Sequence, residues 1–125
     1  MDKLAYFGKY NLPIFLFVIF LASCAYREFV YLKNHTKQEV LVGVLFNLKN
    51  GPTGMDILLK PDGDDAWEYE VGYFNKGILD KALEKITFKS ENGCQKSYSR
   101  KEIADIAIKR GMWQIHINQQ LLDCE

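Results

Sequence analysis

Cysteine is scarce in this 125-residue chain, histidine is scarcer, and neither sign of charge prevails. There are three cysteines and two histidines, and 16 basic residues face 16 acidic ones. With no surplus of lysine and arginine there is no broad field to draw the chain onto DNA or RNA, so nucleic-acid binding is not expected. Two histidines with no cysteine in close spacing are poor material for zinc, and no metal is expected. Neither a G-x-S-x-G elbow nor an H-E-x-x-H pair occurs. No apolar run nears the roughly 20 residues of a membrane-spanning helix. Repeats, low-complexity tracts and any sign of a second domain are absent too.

What is present begins at the N-terminus. Lys3 and Lys9 form a basic head, partly offset by Asp2, and Pro13 precedes the apolar run Ile14-Phe15-Leu16-Phe17-Val18-Ile19-Phe20. Leu21-Ala22-Ser23-Cys24 follows directly. A basic head, a short hydrophobic stretch and small residues at a cleavage point make a secretory signal. With cysteine in that slot, the segment resembles the lipobox of bacterial lipoproteins. The resemblance implies that residues 1–23 are removed and that Cys24 becomes the first mature residue, carrying a diacylglycerol and a fatty acyl (palmitate-type) anchor. It further implies residence in the cell envelope. Ala25, where an aspartate would favour the inner membrane, points to the outer membrane facing the periplasm in a Gram-negative cell. Ser23-Cys24-Ala25 also fits an ordinary small-x-small cleavage site, which would discard the cysteine. The resemblance covers about 24 residues and carries anchoring, not activity.

On this reading residues 24–27 are the lipid-anchored N-terminus and 28–125 a single globular domain. Of the charged residues, two basic and one acidic fall within 1–23, leaving 14 against 15. Cys94 and Cys124 remain as an even pair in an oxidising compartment, and a disulfide between them is expected. It would close a loop of about 30 residues, stabilise by roughly 3–4 kcal/mol on a chain-entropy basis, and fasten the C-terminal tail to the domain body.

Past Cys24 the chain alternates in the manner of strands. Residues 28–33 set Val30 and Leu32 against Phe29 and Tyr31. Asn34-His35-Thr36-Lys37 reads as a turn, and 38–47 reads as a second, centrally placed strand forming a hairpin with the first. Residues 50–54 read as a loop, 55–60 as a third strand, and Pro61-Asp62-Gly63-Asp64-Asp65 as a turn. A fourth strand, 66–74, places Trp67, Tyr69, Val71 and Tyr73 on one face. Residues 78–84 suggest a single helical turn, 85–89 a strand with Ile86 and Phe88 inward, and 94–98 its hairpin partner across Glu91-Asn92-Gly93. Ser99-Arg100-Lys101-Glu102 is a capping box opening an amphipathic helix at about 99–110, with Ile103, Ile106, Ala107 and Arg110 on one face and Gly111 as its stop. Residues 112–118 form the last strand, with Trp113, Ile115 and Ile117 inward. Six or seven short strands and one helix give a small, mainly β sandwich; an α+β sheet with the helix on one face is the alternative.

Chemistry is sparse in this pattern. His35 and His116 lie near no recognisable nucleophile or carboxylate motif, and a hydrolase would have to be assembled from scattered groups such as His116, Asp105 and Ser97. Asp62, Asp64 and Asp65 lack the continuation of a calcium loop. Trp67, Tyr69 and Tyr73 are candidates for stacking on sugar rings, although a domain this small needs such side chains inside. The expectation is therefore a non-enzymatic binding or assembly component, with the membrane as one partner, a further envelope protein as another, and no cofactor. A carbohydrate or cell-wall glycan module is the alternative.

Overall fold

A computed structural model describes residues 25–123. Cys24 and Cys124 lie outside them, as do residues 1–23 and Glu125. Eight strands form two four-stranded sheets: β1 (Ala25–Asn34), β2 (Val40–Leu48), β3 (Gly51–Leu59), β4 (Asp64–Gly72), β5 (Leu83–Ser90), β6 (Gln95–Ser99), β7 (Ile108–Arg110) and β8 (Met112–Ile117). One sheet has the order β4-β1-β8-β7 and the other β3-β2-β5-β6. All pairings are antiparallel except β1 with β8. Two short helices, α1 (Arg100–Ile106) and α2 (Gln119–Leu122), lie between β6 and β7 and after β8.

The alternation that predicts the strands also builds the core. Val30 and Leu32 of β1, Val40 and Val42 of β2, Ile86 and Phe88 of β5, and Ile117 of β8 are fully buried in one cluster between the sheets. Each such side chain contributes about 1.5–3 kcal/mol of burial. Phe46 of β2 meets Trp67 of β4 edge to face at 5.8 Å, joining the two layers. The chain is a β-sandwich, and the helices sit at its margins.

Several local expectations are corrected. β1 and β2 form no hairpin, because they belong to different sheets. Asn34 ends β1 fully buried, and its amide donates to the carbonyls of Gln38 (2.8 Å), Leu59 (3.2 Å) and Lys60 (3.1 Å). Its Oδ1 accepts from the Thr36 amide and hydroxyl at 2.9 and 2.7 Å. The segment that reads as a turn is thus a crossover locked by one asparagine. Residues 51–54, read as loop, are the start of β3, an edge strand on which Pro52 is tolerated opposite Asn47.

The capping box of α1 forms as expected, with the Ser99 hydroxyl accepting from the Glu102 amide and the Glu102 carboxylate accepting from the Ser99 amide. The helix is shorter than 99–110, however. Ala107 is extended, and β7 turns back through Gly111, at φ 73°, onto β8. Ile103 alone of the predicted helix face is fully buried; Ile106 is exposed. β4 ends at Gly72, so Tyr73 leaves the strand for a 3-10 turn, Tyr73–Asn75, and no helical turn forms at 78–84.

Candidate functional site

The sequence candidates scatter. Trp67 and Tyr69 are buried, and each has its polar atom occupied: the Trp67 indole donates to Asp80 Oδ2 at 3.3 Å, and the Tyr69 hydroxyl lies 3.1 Å from Glu28 Oε2 and 3.0 Å from the Ile78 carbonyl. Burial, followed by the hydrogen bond to Glu28 and the charges of Glu28 and Asp80, pushes the Tyr69 phenol well above its usual value. Tyr73 is exposed at the end of the sandwich. These three aromatics therefore present no shared stacking face.

The aspartates serve their turn. Asp62 takes the left-handed backbone at φ 59°, Asp64 accepts from the Tyr31 hydroxyl at 2.8 Å, and Asp65 accepts from the Ala66 amide. No group of three potential metal ligands occurs among the described residues. Ser97 shares a 2.8 Å hydrogen bond with Thr87, and Asp105 is exposed on α1, whereas His116 engages other partners.

Those partners were illegible in the sequence. His35 and His116 stand 81 positions apart, yet Nε2 of one lies 2.7 Å from Nδ1 of the other with the rings stacked 4.9 Å apart. The parallel pairing of β1 and β8 brings them together, and the His35 amide donates to the Ile117 carbonyl at 2.8 Å. The other nitrogen of His116 meets Gln114 Oε1 at 3.0 Å. Burial, reinforced by the charges of His35 and Arg110, lowers the His116 imidazole below its ordinary value.

His116 also edges a groove of about 400 Å³ where the two sheets part. β6 is an outer strand, and β7 covers β8 only as far as Gln114, which leaves the later part of β8 open. Ile106, Ile115, Tyr98 and Leu121 give the groove an apolar floor, with Lys96, His116, Asn118 and Gln120 as polar lining. The chain matches no family model, no curated protein and no solved structure. Such a groove can hold an extended, amphipathic segment, and its polar groups suit hydrogen bonding.

The C-terminal tail walls one side of it. Asn118 caps α2 by accepting from the Leu121 amide, Leu122 is buried, and the Tyr98 hydroxyl donates to the Leu121 carbonyl at 3.0 Å. The Cys94 sulfur lies 3.0 Å from the Leu122 carbonyl oxygen, two residues short of Cys124, and Cys94 is not a free side chain.

At the opposite end, a loop follows β4. The Glu28 carboxylate, itself buried, accepts from the Gly77 amide at 2.8 Å, where the backbone is at φ 88°. Arg100 donates to the carbonyls of Leu79 (2.6 Å) and Asp80 (3.1 Å). Four side chains from three elements, Glu28, Trp67, Tyr69 and Arg100, therefore fix residues 77–80. No helix among the described residues is long and apolar enough to cross a membrane.

Proposed function

We propose that this chain is a lipid-anchored protein of the bacterial cell envelope, held by Cys24, whose domain acts at the membrane surface as a non-enzymatic binding or assembly component of a membrane protein complex. The observation that carries the reading is that Ala25 is already paired with Gly72, in a strand that lies between two others. No unpaired residue separates the acylated position from the sheet. One Cα–Cα step is about 3.8 Å, so an anchor on Cys24 draws the domain itself onto the headgroups. Lipoproteins with long flexible tethers reach deep into the periplasm; this one cannot. In a Gram-negative cell Ala25 favours the outer membrane, with the domain facing the periplasm.

A Cys94–Cys124 disulfide belongs to the same reading. The tail already docks through Tyr98 and Leu122 beside Cys94, and a bridge would close it. The groove beside that tail is the place for a partner segment. The glycan-binding alternative draws less support, because Trp67 and Tyr69 are occupied in the core.

Intact-mass analysis of membrane-purified protein tests the anchor: residues 1–23 should be missing and lipid mass present on Cys24. A soluble species beginning after Cys24 overturns it. In-cell crosslinking should then capture membrane-bound partners, and capture should fall in a Cys24→Ala variant given a cleavable signal. Soluble partners, unchanged by loss of the anchor, would refute the membrane-proximal role.

A further inference from the structure

We propose that the end of the sandwich where β1 emerges is a lipid-facing seat, in which Tyr73 and Phe74 enter the headgroup–acyl boundary while Lys76 lies over the phosphates. The proposal rests on the anchored reading of Cys24 and adds an orientation to it.

Topology assembles this end from distant parts of the chain. Ala25 pairs with Gly72, and the 3-10 turn Tyr73–Asn75 follows at once. β8 runs parallel to β1 but starts farther along it: Trp113 pairs with Val30, which sets Met112 and the Gly111 turn level with Phe29, about 13 Å from Ala25. The loop after the 3-10 turn folds back along the sheet, where a Cβ built on Gly77 would stand 4.0 Å from the Lys109 Cε. Wherever Cys24 is held, Tyr26 and the turn Tyr73–Asn75 are held beside it.

The composition of this end suits a bilayer interface. Phe74 is 78% exposed, the most of any large hydrophobic side chain described, with Tyr73 at 40% beside it. A lone exposed aromatic carries no message, but these are ordered into a cluster. Tyr26 and Tyr73 lie 5.6 Å apart, Tyr73 and Phe74 5.3 Å apart, and the Lys76 ammonium stands 5.0 Å over the Tyr26 ring. Tyrosine rings prefer the headgroup level, where one end is dry and the other wet. Lysine and arginine stems lie along apolar surface while their heads seek phosphate. Arg27 is paired with Glu68 and Glu70, whereas Lys76 forms no ion pair among the described residues. The chain is neutral overall, yet Lys76 sets an ammonium where lipid is nearest.

The loop is also rigid enough to set an angle. The buried carboxylate of Glu28 grips the Gly77 amide, and the Tyr69 hydroxyl reaches the Ile78 carbonyl. Tethering supplies a high effective concentration of lipid, so weak aromatic and basic contacts suffice to fix the pose.

The test is depth-dependent fluorescence quenching of the full, acylated protein in phosphatidylcholine vesicles containing phosphatidylglycerol and brominated acyl chains. Phe74→Trp adds a probe at the seat, and Lys37→Trp adds one at the opposite end; wild type, with its own Trp67 and Trp113, is the baseline. The added emission of Phe74→Trp should be blue-shifted and quenched at least twofold, and that of Lys37→Trp unaffected. Equal quenching at both positions means a domain lying flat and overturns the proposal. So does an acylated protein that floats with vesicles yet leaves Phe74→Trp unquenched, an outcome that spares the anchor. Unmodified Cys24 with no flotation defeats the anchored reading, and the seat falls with it. A Phe74 position crosslinked to protein in cells but unquenched in pure vesicles assigns the patch to a protein and likewise overturns the lipid seat.

Discussion

Replacing Asn34 with alanine removes the one side chain that binds the crossover between the sheets to both of its neighbours. The amide has two hydrogens shared among the carbonyls of Gln38, Leu59 and Lys60, and its oxygen accepts from two Thr36 groups. That is about four hydrogen bonds, each worth roughly 1 kcal/mol net, and truncation leaves buried partners unsatisfied at a further cost. Water entering the cavity restores part of the loss. The expected destabilisation is about 3 kcal/mol, against a total of about 5–15 kcal/mol for a domain of this kind. Thermal unfolding followed by far-ultraviolet circular dichroism should then shift down by about 12–24 °C, at about 4–8 °C per kcal/mol. The urea m-value should stay the same, since the surface exposed on unfolding is nearly unchanged. Asn34→Asp keeps the shape but turns a carboxylate oxygen toward carbonyls that require a donor. It should be at least as damaging at neutral pH and recover partly in acid, where the introduced carboxyl regains a proton to donate. A loss below about 1 kcal/mol for alanine would refute the reasoning, because a buried amide with this many partners cannot be so cheap to remove.

Two further outcomes are expected. The His116 imidazole is held below its ordinary value by burial and by the charges of His35 and Arg110, so the unfolded chain protonates first as pH falls. Its contribution is fully present above about pH 6.5 and is lost as pH falls from there toward the folded value; urea titrations between pH 7 and 5.5 should show a shallower slope for His116→Asn than for wild type, and an unchanged slope would refute it. Thiol labelling of the protein taken from cells without reductant should modify neither Cys94 nor Cys124, and reduction should expose both together; if both label at once without reductant, something other than a disulfide fastens the tail.

Much of the sandwich is legible because strand alternation is local. Ile86 and Phe88 in β5, Ile115 and Ile117 in β8, and the Ser99–Glu102 capping box each depend on neighbours within a few residues, and each forms as read. Asn34 shows where locality stops. Asn-His-Thr-Lys has turn chemistry, but turn chemistry does not say whether the next strand pairs with the last or crosses to another sheet. The deciding carbonyls, Leu59 and Lys60, come 25 and 26 residues later. At Pro52, composition argued against a strand that an edge position permits. At Ala107 to Arg110, helical spacing continues past the real end of α1, because β7 gains pairing with β8 that a helix would forgo. The Tyr73 misplacement extended a period of two beyond Gly72, where the ladder stops. The His35–His116 contact lay 81 residues apart and left no trace in either local segment.

The seat and the groove are tied together by the length of β1. The strand's ten residues rise about 3.3 Å each, so some 30 Å separate Ala25 from Asn34. With the seat on the lipid and β1 standing away from it, His35, His116 and the tail helix α2 lie at the far end of that span. The groove then opens over the distal half of the domain, clear of the headgroups, with Lys96 and His116 among its lining. A partner embedded in the same membrane has to raise a segment by about 20–30 Å to enter it, a reach of roughly six to nine extended residues. Partners that keep low at the headgroups would instead touch the flank formed by β4 and β1, where Arg27 is already engaged by Glu68 and Glu70. Crosslinks from Lys96 to membrane-protein loops of at least that length, with none from Lys96 to loops too short to rise, would place the partner in the groove. Crosslinks confined to the β4–β1 flank would remove the groove from the mechanism while leaving the lipid seat intact.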